Sequence, residues 1–437
     1  MEKRRGGAEE VMSPVPDPPQ AEEPQPTRHA STASLSLELL PDDALLLVLR
    51  YLDVPSLLTC RLVCRRLGVL VLHHEVWRHR EIGGYGDRTC MCPQLRLAPC
   101  VRLLYVFSEL NQRVPCRWAA LAWTRCAAAE VRLRLLDDAA STYATAVALI
   151  FRQEALGRLR SLAVSSSSKK ASKISLLMAT ASSTPGLEKL ELIVYESSLP
   201  THLQLDCSIM APSLRHFKCN LCHPLEPYAN FIVAGHAATL ETVDLGSEAS
   251  SMACAAIVPL LVGLPKLTKL SCSNIPGVEV MAARDSLRDL ELTVMTETEH
   301  RGALAGAAAL LRRASQLQKV TVYYSPGTPD VRVDVVRALA SSRRSRVESL
   351  QIHNYGDNDD DDGQYFCHLQ ELITAMPSLP ILRRLCVDVG GSMEKLDELA
   401  LAITPDTTPA LRTVYLGLGE GPCGHAWLHR DANCAGV

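Results

Sequence analysis

Two hydrophobic periods divide this chain. Between Leu40 and Trp77 apolar residues recur at helical spacing, whereas from about residue 130 onward they alternate in short runs that themselves repeat. In the first stretch Leu45, Val48, Leu49 and Leu52 fall at i, i+3, i+4 and i+7, one apolar stripe of an amphipathic helix. Pro41 suits the first position of that helix, and Asp42 and Asp43 suit its positive end. The pattern predicts a helix end near Asp53, and Pro55 restarts the chain into a second apolar run from Ser56 to Leu67. A segment this short cannot bury that much Leu and Val alone. It needs a partner, or the rest of the chain, to cover it.

The second period is longer. The pattern L-x-x-L-x-L recurs ten times, from Leu159/Leu162/Val164 and Leu187/Leu190/Leu192 through Leu240/Val243/Leu245 and Leu287/Leu290/Leu292 to Leu411/Val414/Leu416. Nine steps from 159 to 411 give a mean of 28 residues per step, inside the range of leucine-rich repeats. Leu133 and Leu135 read as a partial leading repeat, aligned with Leu162 and Val164. Each alternating piece predicts a short strand with one buried face. Helical patterns lie between, at 174–182, 228–238, 304–314, 365–376 and 393–403. No single unit closes its own core, so neighbours must stack. The short step from 267 to 287 predicts a helix-poor unit, and the long one from 347 to 382 an extra loop. Alternation places Ala163, Glu191, Ile193, Lys218, Asp244, Ser271, Glu291, Thr321, Gln351, Cys386 and Tyr415 on the open strand face. They share no single chemical theme, so neither a phosphopeptide nor a small-molecule cofactor is implied.

These periods set the expected organisation of the 437 residues. Residues 1–33, rich in Pro, Glu and Ser, read as a disordered tail. A helical module spans 34–80. Residues 81–130 read as a helical junction and N-terminal cap, with a helix over Val101–Leu110 and the Trp118/Trp123 pair. The repeats fill 131–420, and 421–437 is a tail. The expected class is α/β.

At the N-terminal module the residues resemble a known family. Leu40-Pro41, two acids, Leu45, Tyr51-Leu52-Asp53, Leu57-Leu58 and Val63-Cys64-Arg65-Arg66 with Trp77 look like an F-box. Ala44 and Leu67 depart from the family pattern, which has a larger aliphatic and an aromatic there. The resemblance implies a small three-helix module that docks a Skp-type adaptor and, through it, a cullin. The candidate adaptor-binding residues are Leu40, Pro41, Leu45, Val48, Leu49, Leu52, Leu57, Leu58, Val63 and Cys64. A stable complex of that kind buries more than about 1,000 Å². The repeats resemble the leucine-rich repeats found behind F-boxes, with Ala-rich helices and few Asn after the strands, which implies a horseshoe-shaped solenoid. Together they resemble F-box and leucine-rich repeat proteins, the substrate receptors of Skp–cullin–F-box ubiquitin ligases. The expected partners are the adaptor and an unknown protein target. A leucine-rich repeat scaffold without a ubiquitination role is the alternative.

Charge and motifs narrow the classes further. The formal net charge of −3 lacks the basic excess of a dedicated nucleic-acid or anionic-membrane binder. Arg312, Arg313, Arg343, Arg344 and Arg346 are expected to be solvated helix-end charges. The first residues offer no apolar core for a secretory signal, and the apolar run 253–264 is too short to span a bilayer. Sixteen cysteines without such a signal point to reduced thiols, hence cytoplasm or nucleus. No G-x-S-x-G elbow or G-x-x-x-x-G-K loop occurs, so no enzyme activity, cofactor or catalytic residue is expected. The acidic run 357–362 lacks the Glu that closes a calcium loop. Cys219 and Cys222 lie in the repeat pattern and read as core thiols. Cys423, His425, His429 and Cys434 fit no zinc spacing, so no metal is expected.

Overall fold

The computed structural model describes residues 39–84, 90–108, 121–167, 170–194, 211–246, 254–295, 301–324, 330–341, 345–354, 369–388, 393–417 and 426–429. Four short helices come first: α1 (Asp42–Tyr51), α2 (Val54–Val63), α3 (Arg65–Leu70) and α4 (His74–Trp77). Pro41 is the cap rather than the first helical residue of α1, and Asp42 and Asp43 occupy its first turn. Leu52 closes α1, and Asp53 caps α2 by accepting from the Ser56 amide at 2.9 Å.

A sheet of fourteen strands follows, ordered along it as along the chain. Its strands are β1 (Glu81–Ile82), β2 (Cys100–Phe107), β3 (Ala127–Leu135), β4 (Ser161–Ser166), β5 (Lys189–Val194), β6 (His216–Cys219) and β7 (Thr242–Asp244). Then come β8 (Lys269–Ser273), β9 (Asp289–Val294), β10 (Lys319–Tyr324), β11 (Ser349–Asn354), β12 (Arg384–Asp388), β13 (Thr413–Gly417) and β14 (Ala426–His429). β1 through β13 pair in parallel, and β14 returns antiparallel on β13. Parallel neighbours need a crossover. Helices supply several of them, among them Ala140–Ala155, Ala171–Ser183, Glu226–Gly235, Arg301–Arg313 and Asp330–Ser341, and neighbouring helices pack on one another to form a second layer.

One backbone device recurs at nearly every step. The carbonyl two residues before a strand's first buried side chain accepts two amides of the next unit: Glu188 O from Arg215 and His216, Glu241 O from Thr268 and Lys269, Arg288 O from Gln318 and Lys319, and Glu348 O from Arg383 and Arg384, all at 2.8–3.1 Å. Identical geometry in unit after unit sets the register. Leu162, Leu190, Phe217, Val243, Leu270, Leu290, Val320, Leu350, Leu385 and Val414 therefore form one row of paired residues. All are buried. Each fully buried Leu contributes roughly 1.5–3 kcal/mol, which holds the stack together through its shared interior.

Two expectations are corrected. Val101–Leu110 is not a helix: residues 100–107 are β2, with Val101, Leu104 and Val106 buried. Its run of Val, Leu, Tyr and Phe is buried strand, a pattern that periodicity alone does not separate from a buried helix. The leading repeat is also displaced by two residues. Val131 pairs with Leu162 and Leu133 with Val164, while Leu135 pairs with Ser166. β3 carries three alternating apolar residues, and the first two align with Leu162 and Val164.

The helix-poor unit between 267 and 287 is a 3₁₀ turn, Val278–Ala283. The long step from 347 to 382 passes through 355–368, outside the described residues, as do residues 1–38, Trp118, Arg343, Arg344 and the acidic run 357–362. Two asparagines do follow strands: Asn220 and Asn274, both buried, bond the neighbouring strand's end at Val194 and Met295. Among the described residues no helix is long and apolar enough to cross a membrane.

Candidate functional site

The N-terminal helices bury one end of a core that continues into the sheet. Leu45, Leu49, Leu57, Leu67, Leu70, Val71, Val76 and Trp77 are buried together. The Trp77 indole donates to the Val71 carbonyl at 2.6 Å. Arg80 donates to the carbonyls of Val76, Leu49 and Arg50, which ties the end of α1 to the chain entering β1. Burial lowers the pKa of Arg80, partly offset by the Asp53 carboxylate. Asp53 itself is held below the usual carboxylate range by hydrogen bonds from the side chain and backbone of Ser56. Cys64 caps α3, its sulfur accepting from the Leu67 amide at 3.5 Å. Of the two family departures, Leu67 fills the interior and Ala44 is half-buried.

This placement sorts the ten candidate adaptor-binding residues. Pro41, Val48, Val63 and Cys64 are exposed, and Leu40, Leu52 and Leu58 are half-buried. Leu45, Leu49 and Leu57 are corrected to interior residues: at 3%, 3% and 0% exposure they hold α1 and α2 to the other helices and offer no surface. Large apolar side chains outside the candidate set do lie open, namely Leu39, Leu47, Tyr51, Leu62 and Val69. Tyr51 is 90% exposed and Leu62 84%. Their signal was in the sequence: Leu47, Val48 and Tyr51 form a second stripe on α1, beside the one that includes Leu45 and Leu49.

Residues 37–82 match the family described as F-box-like. This stretch of the chain is an F-box-like domain. The chain is 51% identical over 47 residues to the human protein "F-box only protein 3", a match that covers 11% of this chain. The chain spans about one tenth of the length of that curated relative, 10%.

Behind the F-box-like domain the sheet face away from the leucine row is ordered in register, though two of its residues, Ser271 and Thr321, are buried rather than open, at 7% and 2% exposure. Tyr105, Arg132, Ala163, Glu191, Lys218, Asp244, Ser271, Glu291, Thr321, Gln351, Cys386 and Tyr415 pair one with the next across twelve strands. Tyr105 and Arg132 belong to this row because residues 100–107 are a strand. The centre of the row neutralises itself. Lys218 lies 3.2 Å from Asp244, and Lys269 lies 3.5 Å from Glu291. Burial pulls the Lys218 ammonium down, but Asp244, with Glu191 and Glu291 behind it, outweighs this and leaves its pKa raised. Further along, Thr321 donates to Gln351, and Tyr323 stacks on His353 with ring centres 5.1 Å apart.

Cys219 and Cys222 are buried thiols in the strand layer. Burial, with Cys222 and Asp244 nearby, pushes the Cys219 thiol up. Among the described residues no three His, Cys, Asp or Glu side chains gather as a metal site. Cys423, His425 and Cys434 lie outside the described residues, and His429 enters only as backbone of β14.

Proposed function

We propose that this chain is a substrate-recognition subunit of a Skp–cullin–F-box ubiquitin ligase. Its F-box-like domain would dock a Skp-type adaptor and through it a cullin. The strand ladder, read as a leucine-rich repeat solenoid curved into a horseshoe, would hold a target protein on its open face. The carrying observation is an F-box-like domain at 37–82 that leaves Leu47, Val48, Tyr51, Leu62 and Val63 open. Apolar surface of this kind on a small folded unit marks a protein interface.

The solenoid reading is supported by the in-register row of buried Leu and Val, the recurring two-amide carbonyl and the 28-residue step. In this reading the chain does no bond chemistry. It raises the local concentration of a target lysine beside a charged ubiquitin-conjugating enzyme, in the cytoplasm or nucleus.

The test is co-purification of the full chain with the adaptor and a cullin, followed by a search for proteins stabilised on its depletion. Stoichiometric adaptor and at least one stabilised, directly bound protein support the reading. Target capture without adaptor would favour a repeat scaffold instead, and no capture of either would end both.

A further inference from the structure

On the sheet face opposite the leucine row most cations meet an acid. Arg132 lies 2.6 Å from Glu130, Lys218 3.2 Å from Asp244, Lys269 3.5 Å from Glu291 and Lys319 3.8 Å from Asp289. Arg384 of β12 breaks the pattern. Alternation with buried Leu385 puts it on this face, it is exposed, and it has no acid partner among the described residues. Its neighbours in register are small, Ser349 of β11 on one side and Thr413 of β13 on the other. Neither hydroxyl has a hydrogen-bond partner among the described residues. Strands lie about 4.8 Å apart, so these two short side chains flank the stem of the arginine and leave its guanidinium standing clear.

The residues that immediately precede the strands show the same imbalance. Upstream they neutralise one another: Arg160 lies 3.7 Å from Glu188, and Arg215 2.7 Å from Glu241. Before β11, β12 and β13 the series runs Glu348, Arg383, Arg412. Glu348 takes Arg383 at 3.3 Å, and Arg412 is left exposed without an acid partner among the described residues. The parallel ladder thus ends with unmatched guanidinium groups in adjacent units, Arg384 on the face and Arg412 at its edge. Farther along, the face of β10 and β11 is hydrogen-bonding and aromatic. Gln351 accepts from Thr321 at 3.1 Å through its oxygen, which leaves its amide N–H groups to donate, and Tyr323 stacks on His353.

We infer that the face of β11, β12 and β13 is a recognition subsite for an extended segment of the target protein that carries an Asp or Glu side chain. The planar fork of Arg384 takes both oxygens of the carboxylate at once. Ser349 and Thr413 leave room for the segment's backbone and offer it their hydroxyls. One cation on the face suits one negative charge, and Arg412 at the edge draws that charge in from a distance. Two residues advance an extended chain by about 6.6 Å, in the ladder and in the bound segment alike. A segment lying along β12 therefore sets its next same-face side chain level with Gln351, where an uncharged acceptor meets the amide N–H groups. This inference rests on the reading that the open sheet face holds a target.

The test is selection of a random-peptide display library on the full chain, wild type and Arg384→Gln in parallel. Peptides recovered on the wild type should share an Asp or Glu at one aligned position. Synthetic copies, read by fluorescence anisotropy, should lose on the order of tenfold in affinity when that acid becomes its amide, and should weaken as salt is raised. Arg384→Gln should cost a similar factor, and the two changes together little more than either, which couples the acid to this arginine. Thr413→Phe, which crowds the arginine, should weaken binding too, with an unchanged melting temperature showing that the variant is folded. A recovered set without a shared acid, no recovered binder, or losses that simply add overturns the subsite. Far tighter binding of a copy with phosphoserine in place of the acid overturns the carboxylate assignment. Binding that appears only after the Asp residues of 357–362 are changed to Asn assigns the site to the chain's own acidic run and overturns the proposal. If cellular targets are still captured when the subsite fails, the subsite alone is wrong. If the wild-type chain captures neither adaptor nor target, the underlying reading is wrong.

Discussion

Arg66 of α3 reaches back to Asp42 at the start of α1, with Nε at 2.8 Å and Nη2 at 2.7 Å from the same carboxylate oxygen, and Nη2 also bonds the Leu40 carbonyl. The pair crosses the face on which Leu40 and Pro41 lie and sets how the chain enters the first helix. Both side chains are well exposed, 40% and 61%, so solvent screens the charge and its worth to stability is about 0–1 kcal/mol. Arg66→Ala should therefore shift the urea midpoint very little. If the N-terminal helices dock an adaptor, the same substitution should slow capture in a surface-binding assay, because Leu40 and Pro41 lose their fixed position. A large loss of stability would show that the pair holds the fold rather than the surface.

Interior and surface positions of the F-box-like domain should separate cleanly. Leu57→Ala removes a fully buried side chain and should cost about 2–5 kcal/mol in chemical denaturation. Leu62→Asp and Val63→Asp change exposed positions and should stay within about 0.5 kcal/mol of wild type. Adaptor pull-down should nevertheless be lost in the two Asp variants. Retained pull-down with both would move the docking surface elsewhere.

His236 makes stability depend on pH. Its ring is buried, and Nδ1 accepts from the amides of Ser213 and Leu214 at 3.1 and 3.3 Å, a geometry that needs the neutral imidazole. Burial lowers its pKa below the ordinary 6.5. The unfolded chain then takes up the proton first, so this contribution is complete above about pH 6.5 and is lost as pH falls toward the folded value. Urea midpoints at pH 7.5 and 5.5 should show lower stability at the acidic value, by at most about 1.4 kcal/mol per pH unit from this group. His236→Gln should flatten that difference; an unchanged difference would assign it to other groups.

The thiols should react in an order set by burial. Cys64 is exposed, whereas Cys126, Cys219, Cys222 and Cys272 are buried. Burial pushes Cys126 and Cys272 up to about 12, so neither supplies thiolate near neutral pH. Maleimide labelling of the native protein with peptide mapping should modify Cys64 within the time that leaves these four untouched. Equal labelling of Cys219 and Cys64 would contradict the packed strand layer.

Asn220 should matter more than its polar surface suggests. It is buried, and its amide group bonds both the N–H and the C=O of Val194. Asn220→Ala leaves two backbone groups of the neighbouring unit unpaired and should cost about 1–3 kcal/mol, read as a lower melting temperature. Asn220→Asp, which sets a carboxylate oxygen against the Val194 carbonyl at a buried site, should cost at least as much as Asn220→Ala.

Much of this was legible in the chain. The ten L-x-x-L-x-L runs fix which residues face inward, because a strand alternates and one face must be buried. The short step before Leu287 foretold the 3₁₀ turn at 278–283. Two elements are ambiguous in sequence, each for its own reason. In residues 100–107 apolar side chains follow one another almost without interruption, and such a run suits a buried strand or a buried helix equally. Taking it for a helix hid Tyr105 and Phe107 from the sheet face. In β3 the alternation of Val131, Leu133 and Leu135 permits two registers, and only the partner strand chooses between them.

The sequence by itself determined the acidic first turn at Asp42 and Asp43, the break near Asp53 and the row of inward leucines, since local dihedral preference and period are written residue by residue. Only the tertiary structure decided that Leu45, Leu49 and Leu57 point inward while Tyr51 and Leu62 stand open. Those outcomes depend on which neighbours arrive from distant parts of the chain, and a hydrophobic pattern reports the wish to be covered but not what does the covering.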